Sequence, residues 1–109
     1  MNKYRTHNCN ELRKEDIDKK ISISGWINKK RDHGNLLFVD LRDNYGITQC
    51  IIDKENKNFL ELEKTQLETV IKIEGIVVNR SNEAVNKEIE TGAIEVVINK
   101  FETLVICKE

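Results

Sequence analysis

The sequence predicts an all-β barrel carrying one helix, on three observations. β-branched runs alternate apolar and polar residues, glycines at 25, 34, 46, 75 and 92 divide them into strand-sized pieces, and one glycine-free stretch changes to helical spacing. The first strand starts at Ile21, with Ile21, Ile23, Gly25 and Ile27 opposing Ser22, Ser24, Trp26 and Asn28 and a bend expected at Gly25. Trp26 alternates with the core positions and reads as packed under a loop. LLFVDLRD follows the turn HGN, and YGITQCIID follows Asp43 and Asn44, so strands two and three extend the first into a meander of short hairpins. Between Lys54 and Thr69, the spacing of Phe59, Leu60, Leu62 and Leu67 among Glu and Lys predicts one helix. TVIKIEGIVVNR resumes the alternation at Thr69, and AIEVVINKFETLVI ends the chain with β-rich runs on either side of Asn99 and Lys100. The polar SNEAVNKEIETG between them reads as a long loop. Three meandering strands, a helix and further β structure are the plan of an OB-fold, a five-stranded Greek-key barrel with a helix between strands 3 and 4, although periodicity alone does not separate it from other small β-barrels.

Composition narrows the function. The 109 residues suit a single domain, and a chain this short has little room for a catalytic fold with its own cofactor site. Apolar residues make up 39% and charged residues 34%, and no stretch approaches the roughly 18 apolar residues of a membrane span. No apolar segment follows the first basic residues, so no secretory signal is read and a cytoplasmic location is expected. Cys9, Cys50 and Cys107 lie far apart and in no CxxC spacing, which argues for reduced thiols over disulfides or a zinc site, with Cys50 packed in a strand. A net charge of −1 excludes bulk attraction to nucleic acid, so binding would need a local basic stripe. Lys29, Lys30 and Arg31, with Arg42 later, are the dense candidate.

Catalytic motifs are lacking: no GxSxG, no Gly-rich phosphate loop and no HExxH occurs, and His7 and His33 lie far apart in sequence. A binding surface is the better expectation. Alternation puts Leu37, Val39 and Leu41 on one side of the second strand and Leu36, Phe38, Asp40 and Arg42 on the other. A phenylalanine among charges is either covered by a neighbouring loop or left as a stacking platform for a single-stranded base, with nearby cations tracking phosphates. Gln49 interrupts an apolar strand. Its amide is either a structural cap or a reader of a base's Watson–Crick edge, and spacing leaves both open. Glu95, within AIEVV, reads from pattern alone as a solvated strand residue.

GWINKKRDHGNLLFVDLRDNYGITQCI, with the opening YRTHNCNEL and the stretch ETGAIEV, closely resembles the N-terminal anticodon-binding domain of bacterial aspartyl-tRNA synthetases. The likeness spans nearly the whole chain. It implies one OB-fold domain over residues 1–109 that grips the anticodon loop of transfer RNA. The class II catalytic domain, with its ATP and Mg2+, would lie after Glu109, so no cofactor and no catalysis are expected within these residues. The partners implied are tRNA(Asp) and, for a non-discriminating enzyme, tRNA(Asn), with a homodimeric parent. By motif, Phe38 matches the ring that stacks on the middle anticodon uridine, and Gln49 matches the amide that reads its edge. Arg31 matches the basic residue of the RRRD-type turn, and Glu95 the acidic residue that contacts the first anticodon base. Arg80 and Asn86 fall where the family makes further RNA contacts. Lys29 and Lys30 stand where arginines are common and keep the charge for phosphate contacts without the planar fork. His33 resembles the residue of enzymes that charge both tRNA(Asp) and tRNA(Asn), where other members carry leucine; Glu83 falls at the second position linked to this choice and departs from the small residue seen in some of them. A free-standing single-stranded nucleic-acid binder and a purely structural barrel are the rival readings.

Overall fold

Strand β1 (Lys20–Asp32) buries Ile21, Ile23, Gly25 and Ile27 and turns the residues between them outward, the alternation its sequence calls for. The structure, a computed structural model, describes residues 5–81 and 84–105. β1 serves two partners in succession. Its first half runs antiparallel to β4 (Val70–Asn79), from Lys20 opposite Ile76 to Trp26 opposite Val70; its second half runs antiparallel to β2 (Leu36–Arg42), from Trp26 opposite Arg42 to Asp32 opposite Leu37. At the handover, a Cβ on Gly25 would lie 2.2 Å from the Arg42 carbonyl oxygen, so the backbones approach as only glycine permits. The expected bend at Gly25 is this close approach, and the irregularity in register falls slightly later, between Ile27 and Lys29.

β2 pairs antiparallel with β3 (Ile47–Asp53), and β3 pairs parallel with β5 (Ile94–Val105) through Cys50 opposite Val96 and Ile51 opposite Val97. β5 pairs antiparallel with β4, which closes the barrel in the order β1-β2-β3-β5-β4. This is the five-stranded OB-fold. Ile23, Ile27, Val39, Leu41, Ile73 and Val96 are completely buried within it. Cys50 lies buried in β3 as expected; Cys107 lies outside the described residues. Cys9 and Leu12, ahead of the barrel, join the same core. The Cys9 carbonyl accepts from the Thr48 hydroxyl at 2.8 Å, and its N–H donates to Asp43 at 2.9 Å, which ties this segment to β3 and to the turn before it. Burial pushes both thiols well above the ordinary cysteine value, so they are inert.

Two elements differ from expectation. The β-rich runs around Asn99 and Lys100 form one continuous strand, because Glu74 faces Lys100 and Gly75 faces Ile98, leaving Asn99 as the extra residue of a bulge. Helix α1 is short, Phe59–Lys64. Phe59 and Leu62 enter the core, each contributing about 1.5–3 kcal/mol by burial, while Leu60 and Leu67 stay 63% and 50% exposed. Leu67 falls beyond the helix because the chain turns extended at Thr65, φ −69° and ψ 133°. Residues 84–93 carry turns without helix or strand, as expected of the polar loop.

Candidate nucleic-acid interface

The outward positions of four adjacent strands form two rows. Pairing sets Lys29 beside Asp40 and Asp40 beside Gln49, with Glu95 next on β5; the neighbouring row is Arg31, Phe38, Ile51 and Val97. The first row is polar and the second carries the ring. Both follow from strand alternation combined with the order β1-β2-β3-β5, which brings together residues up to 66 positions apart.

A chain of hydrogen bonds links them. The Arg31 guanidinium donates to both carboxylate oxygens of Asp40, Nη1 to Oδ2 at 3.1 Å and Nη2 to Oδ1 at 3.2 Å, a bidentate pair. Nη2 also donates to Gln49 Oε1 at 2.9 Å, and Gln49 Nε2 donates to Glu95 Oε1 at 2.8 Å. Gln49 is only 7% exposed, and these bonds answer the need for partners that a buried amide creates. Phe38 is half-buried on this face. The His33 ring meets it edge-on, centroids 4.9 Å apart at 71°, and the Arg31 guanidinium carbon lies 5.8 Å from its centroid. The covering that a bland reading of Phe38 requires is therefore partial. His33 is held there by its turn: Gly34 adopts φ +80° and donates its N–H to Asp32 Oδ1 at 2.8 Å, while the His33 N–H donates to the Leu36 carbonyl at 2.9 Å.

The remaining expected residues separate. Lys29 is exposed on the outer face beside Asp40, whereas Lys30 pairs with Val39 and points to the other side. Lys30 Nζ donates to the carbonyls of Leu62 at 3.4 Å, Glu63 at 2.8 Å and Thr65, holding the C-terminal end of α1. Its burial pulls the ammonium pKa below the ordinary lysine range, with Glu63 opposing. The phosphate contact expected of Lys30 is thus corrected to a helix-capping role, since adjacent strand residues cannot share a face. Arg80, 7% exposed, donates from Nε to the Ile94 carbonyl at 2.9 Å and from Nη1 to the Ala84 carbonyl at 3.2 Å, bracing the 84–93 loop. Desolvation lowers its pKa, opposed chiefly by the charges of Glu95 and Asp40. Asn86 is exposed in that loop, where its Oδ1 accepts from the Glu88 N–H at 2.9 Å. Glu83 lies outside the described residues.

Sequence reasoning missed Asp40 as a member of the site, although alternation had put it on the face of Phe38. Among the described residues, no group of three or more His, Cys, Asp or Glu side chains is placed to hold a metal. Among the described residues no helix is long and apolar enough to cross a membrane. A hollow of about 420 Å³ lined by Lys20, Lys57, Glu74 and Lys100 shares no residue with the two rows. What the face offers is a ring for stacking, an amide with hydrogen-bonding capacity left over, and flanking charges.

Comparison with known proteins agrees with this chemistry. The family model for tRNA anticodon binding, described as an OB-fold nucleic acid binding domain, matches residues 21–104. The chain is 66% identical over 109 residues to the aspartate–tRNA(Asp/Asn) ligase of Pelagibacter ubique, covering 100% of this chain and 18% of that protein. It is 54% identical over 101 residues to the ligase of the same name from Wolbachia sp. subsp. Drosophila simulans, covering 93% and 17%. Asparaginyl-tRNA synthetase from Pyrococcus horikoshii, complexed with asparaginyl-adenylate, superposes with a TM-score of 0.76 at 26% identity, over 93% of this chain and 22% of that one. The chain spans less than a fifth of the length of the curated relatives it matches.

Proposed function

The chain belongs to the tRNA anticodon family of OB-fold nucleic acid binding domains, and from that premise we propose that it is the anticodon-reading module of an aspartate–tRNA ligase. The observation that carries this reading is the half-buried Phe38 ring beside the bonded series Arg31, Gln49 and Glu95 on one outward face. The middle anticodon base stacks on Phe38, and Gln49 meets its Watson–Crick edge with the N–H and lone pair not taken by Glu95 and Arg31. Glu95 serves the first base. Lys29 and Arg42, exposed at the margins of the face, meet phosphates. His33, in T-shaped contact with the ring, stands by the third base, where tRNA(Asp) and tRNA(Asn) differ; the names of the two curated relatives support both as partners. Arg80 supports the loop carrying Asn86, and Glu83 joins His33 in the choice between transfer RNAs.

In this proposal the parent is a cytoplasmic homodimer that attaches aspartate to transfer RNA. ATP and Mg2+ act in its catalytic part, while these residues orient the transfer RNA. A fluorescence titration tests the module, using aspartate anticodon stem-loops, a central-base variant and generic single strands at stated salt. Preference for the stem-loop with its native middle base is the expected result. Equal affinity for all three would favour a free-standing single-strand binder, and no binding at low salt by a folded chain would favour a structural barrel.

A further inference from the structure

Gln49 has an ambidextrous side chain held in one orientation. An amide presents a carbonyl and an NH2 of nearly the same shape, so a free glutamine can turn over and exchange acceptor for donor. Here the chemistry of the neighbours decides. Arg31 has only donors and meets Oε1 at 2.9 Å, while the Glu95 carboxylate accepts from Nε2 at 2.8 Å. Turning the amide over would set Nε2 against the guanidinium N–H groups and Oε1 against the carboxylate. Two bonds would become two encounters of like polarity at a side chain only 7% exposed, where unpaired polar groups are costly. Arg31 is in turn fixed by the two bonds it donates to Asp40. The sequence of charges is Asp40 negative, Arg31 positive, the amide dipole, Glu95 negative, with the buried Arg80 guanidinium close enough to Glu95 and Asp40 to feel both.

We infer that Asp40, acting through Arg31, together with Glu95 locks the Gln49 amide in one direction and makes it a reader of uracil against cytosine. Asp40 is a positioning residue, and the inference rests on the anticodon reading proposed above. The remaining lone pair of Oε1 lies on the Arg31 side and the remaining N–H of Nε2 on the Glu95 side. A base seated on Phe38 in one register answers this pair with a donor at N3 and an acceptor at position 4, which is the edge of uracil. Cytosine in that register presents an acceptor at N3 and a donor at position 4, the reverse pattern. A mobile amide would serve both bases by turning over. The locked one serves one.

The test measures affinity for two anticodon stem-loops that differ only in U or C at the middle position, for the unaltered chain and for Asp40→Asn and Asp40→Glu. The unaltered chain should prefer U by about tenfold, the scale of a good bidentate base contact. Asp40→Asn should cut that ratio by about threefold or more on the same scale, with Asp40→Glu, which keeps the charge, restoring it in part. A merely structural role would weaken both stem-loops alike and leave the ratio unmoved. If Asp40→Asn fails to fold, Glu95→Gln gives the same readout, because a glutamine there can face either end of Gln49. Preference for U left unchanged in a folded variant would overturn the lock while leaving the anticodon reading intact. Absence of binding to every stem-loop would remove both.

Discussion

Phe38 meets His33 in a T-shaped contact and Arg31 near its face, and it stays half-buried, so the part of the ring left exposed is what a base would meet. Phe38→Ala is expected to weaken stem-loop binding by about 1–3 kcal/mol and to move the thermal midpoint little, because the ring lies outside the fully buried core. A fluorescence titration beside a melting curve checks this; a large stability loss with unchanged RNA affinity would make the ring a core residue. At position 33, the full-length parent with His33→Leu should charge tRNA(Asn) less well relative to tRNA(Asp). An unchanged charging ratio would remove His33 from the choice. Phe38 and Gln49 could be singled out from the sequence because a large ring among charges and an amide in an apolar strand both break a local pattern. Asp40 broke none. An aspartate on a polar strand face is ordinary, and its value comes from the guanidinium that a neighbouring strand sets beside it.

The paired lysines of β1 show what element geometry does to a charge run. Successive strand residues face opposite ways, so Lys29 borders the RNA face while Lys30 spends its ammonium on the carbonyls ending α1. Lys30→Met keeps the apolar stem and removes the donors; it should cost about 1–2 kcal/mol of stability in urea unfolding, with RNA affinity unchanged. Lys29→Met should do the opposite, lowering affinity with little effect on unfolding. Reversal of these two outcomes would place the phosphate contact on Lys30. Helix α1 is shorter than its leucine spacing implies, because that spacing continues past the point where Thr65 turns extended. Similarly, Asn99 looked like a break between two β runs, and it is a bulge that lets β5 stay paired with β4 past Gly75. There a Cβ would sit 2.2 Å from the Val97 carbonyl oxygen, so Gly75→Ala should destabilise the barrel by about 1–3 kcal/mol, the range of overpacking.

On the scale of the whole molecule, the net charge of −1 makes RNA binding a local affair. Lys29 and Arg42 as two phosphate contacts predict log K falling with log salt at a slope near about −1.4, from roughly −0.7 per contact on a single strand; a slope beyond about −4 would mean that cations off this face take part. Acid sensitivity has a specific source as well. The Arg13 backbone N–H, and then Lys19, hold the Asp16 carboxyl below its ordinary value of 3.8. A depressed folded value means that the stabilisation is complete above pH 3.8 and is lost as pH falls through the lower folded value. Asp16→Asn should therefore flatten that part of the acid-unfolding profile. The sequence by itself pointed to a barrel, to the order of its strands along the chain, to the buried sides of the first two strands, and to the ring and the amide as residues that break the pattern of their strands. These follow from the period-two alternation of side chains, a local property that any strand carries with it. Only the tertiary structure decided that Asp40, Arg31, Gln49 and Glu95 form one bonded series and that Lys30 leaves it. Such partnerships depend on which strands lie side by side and in what register, and four residues on four strands meet only once β1, β2, β3 and β5 have paired.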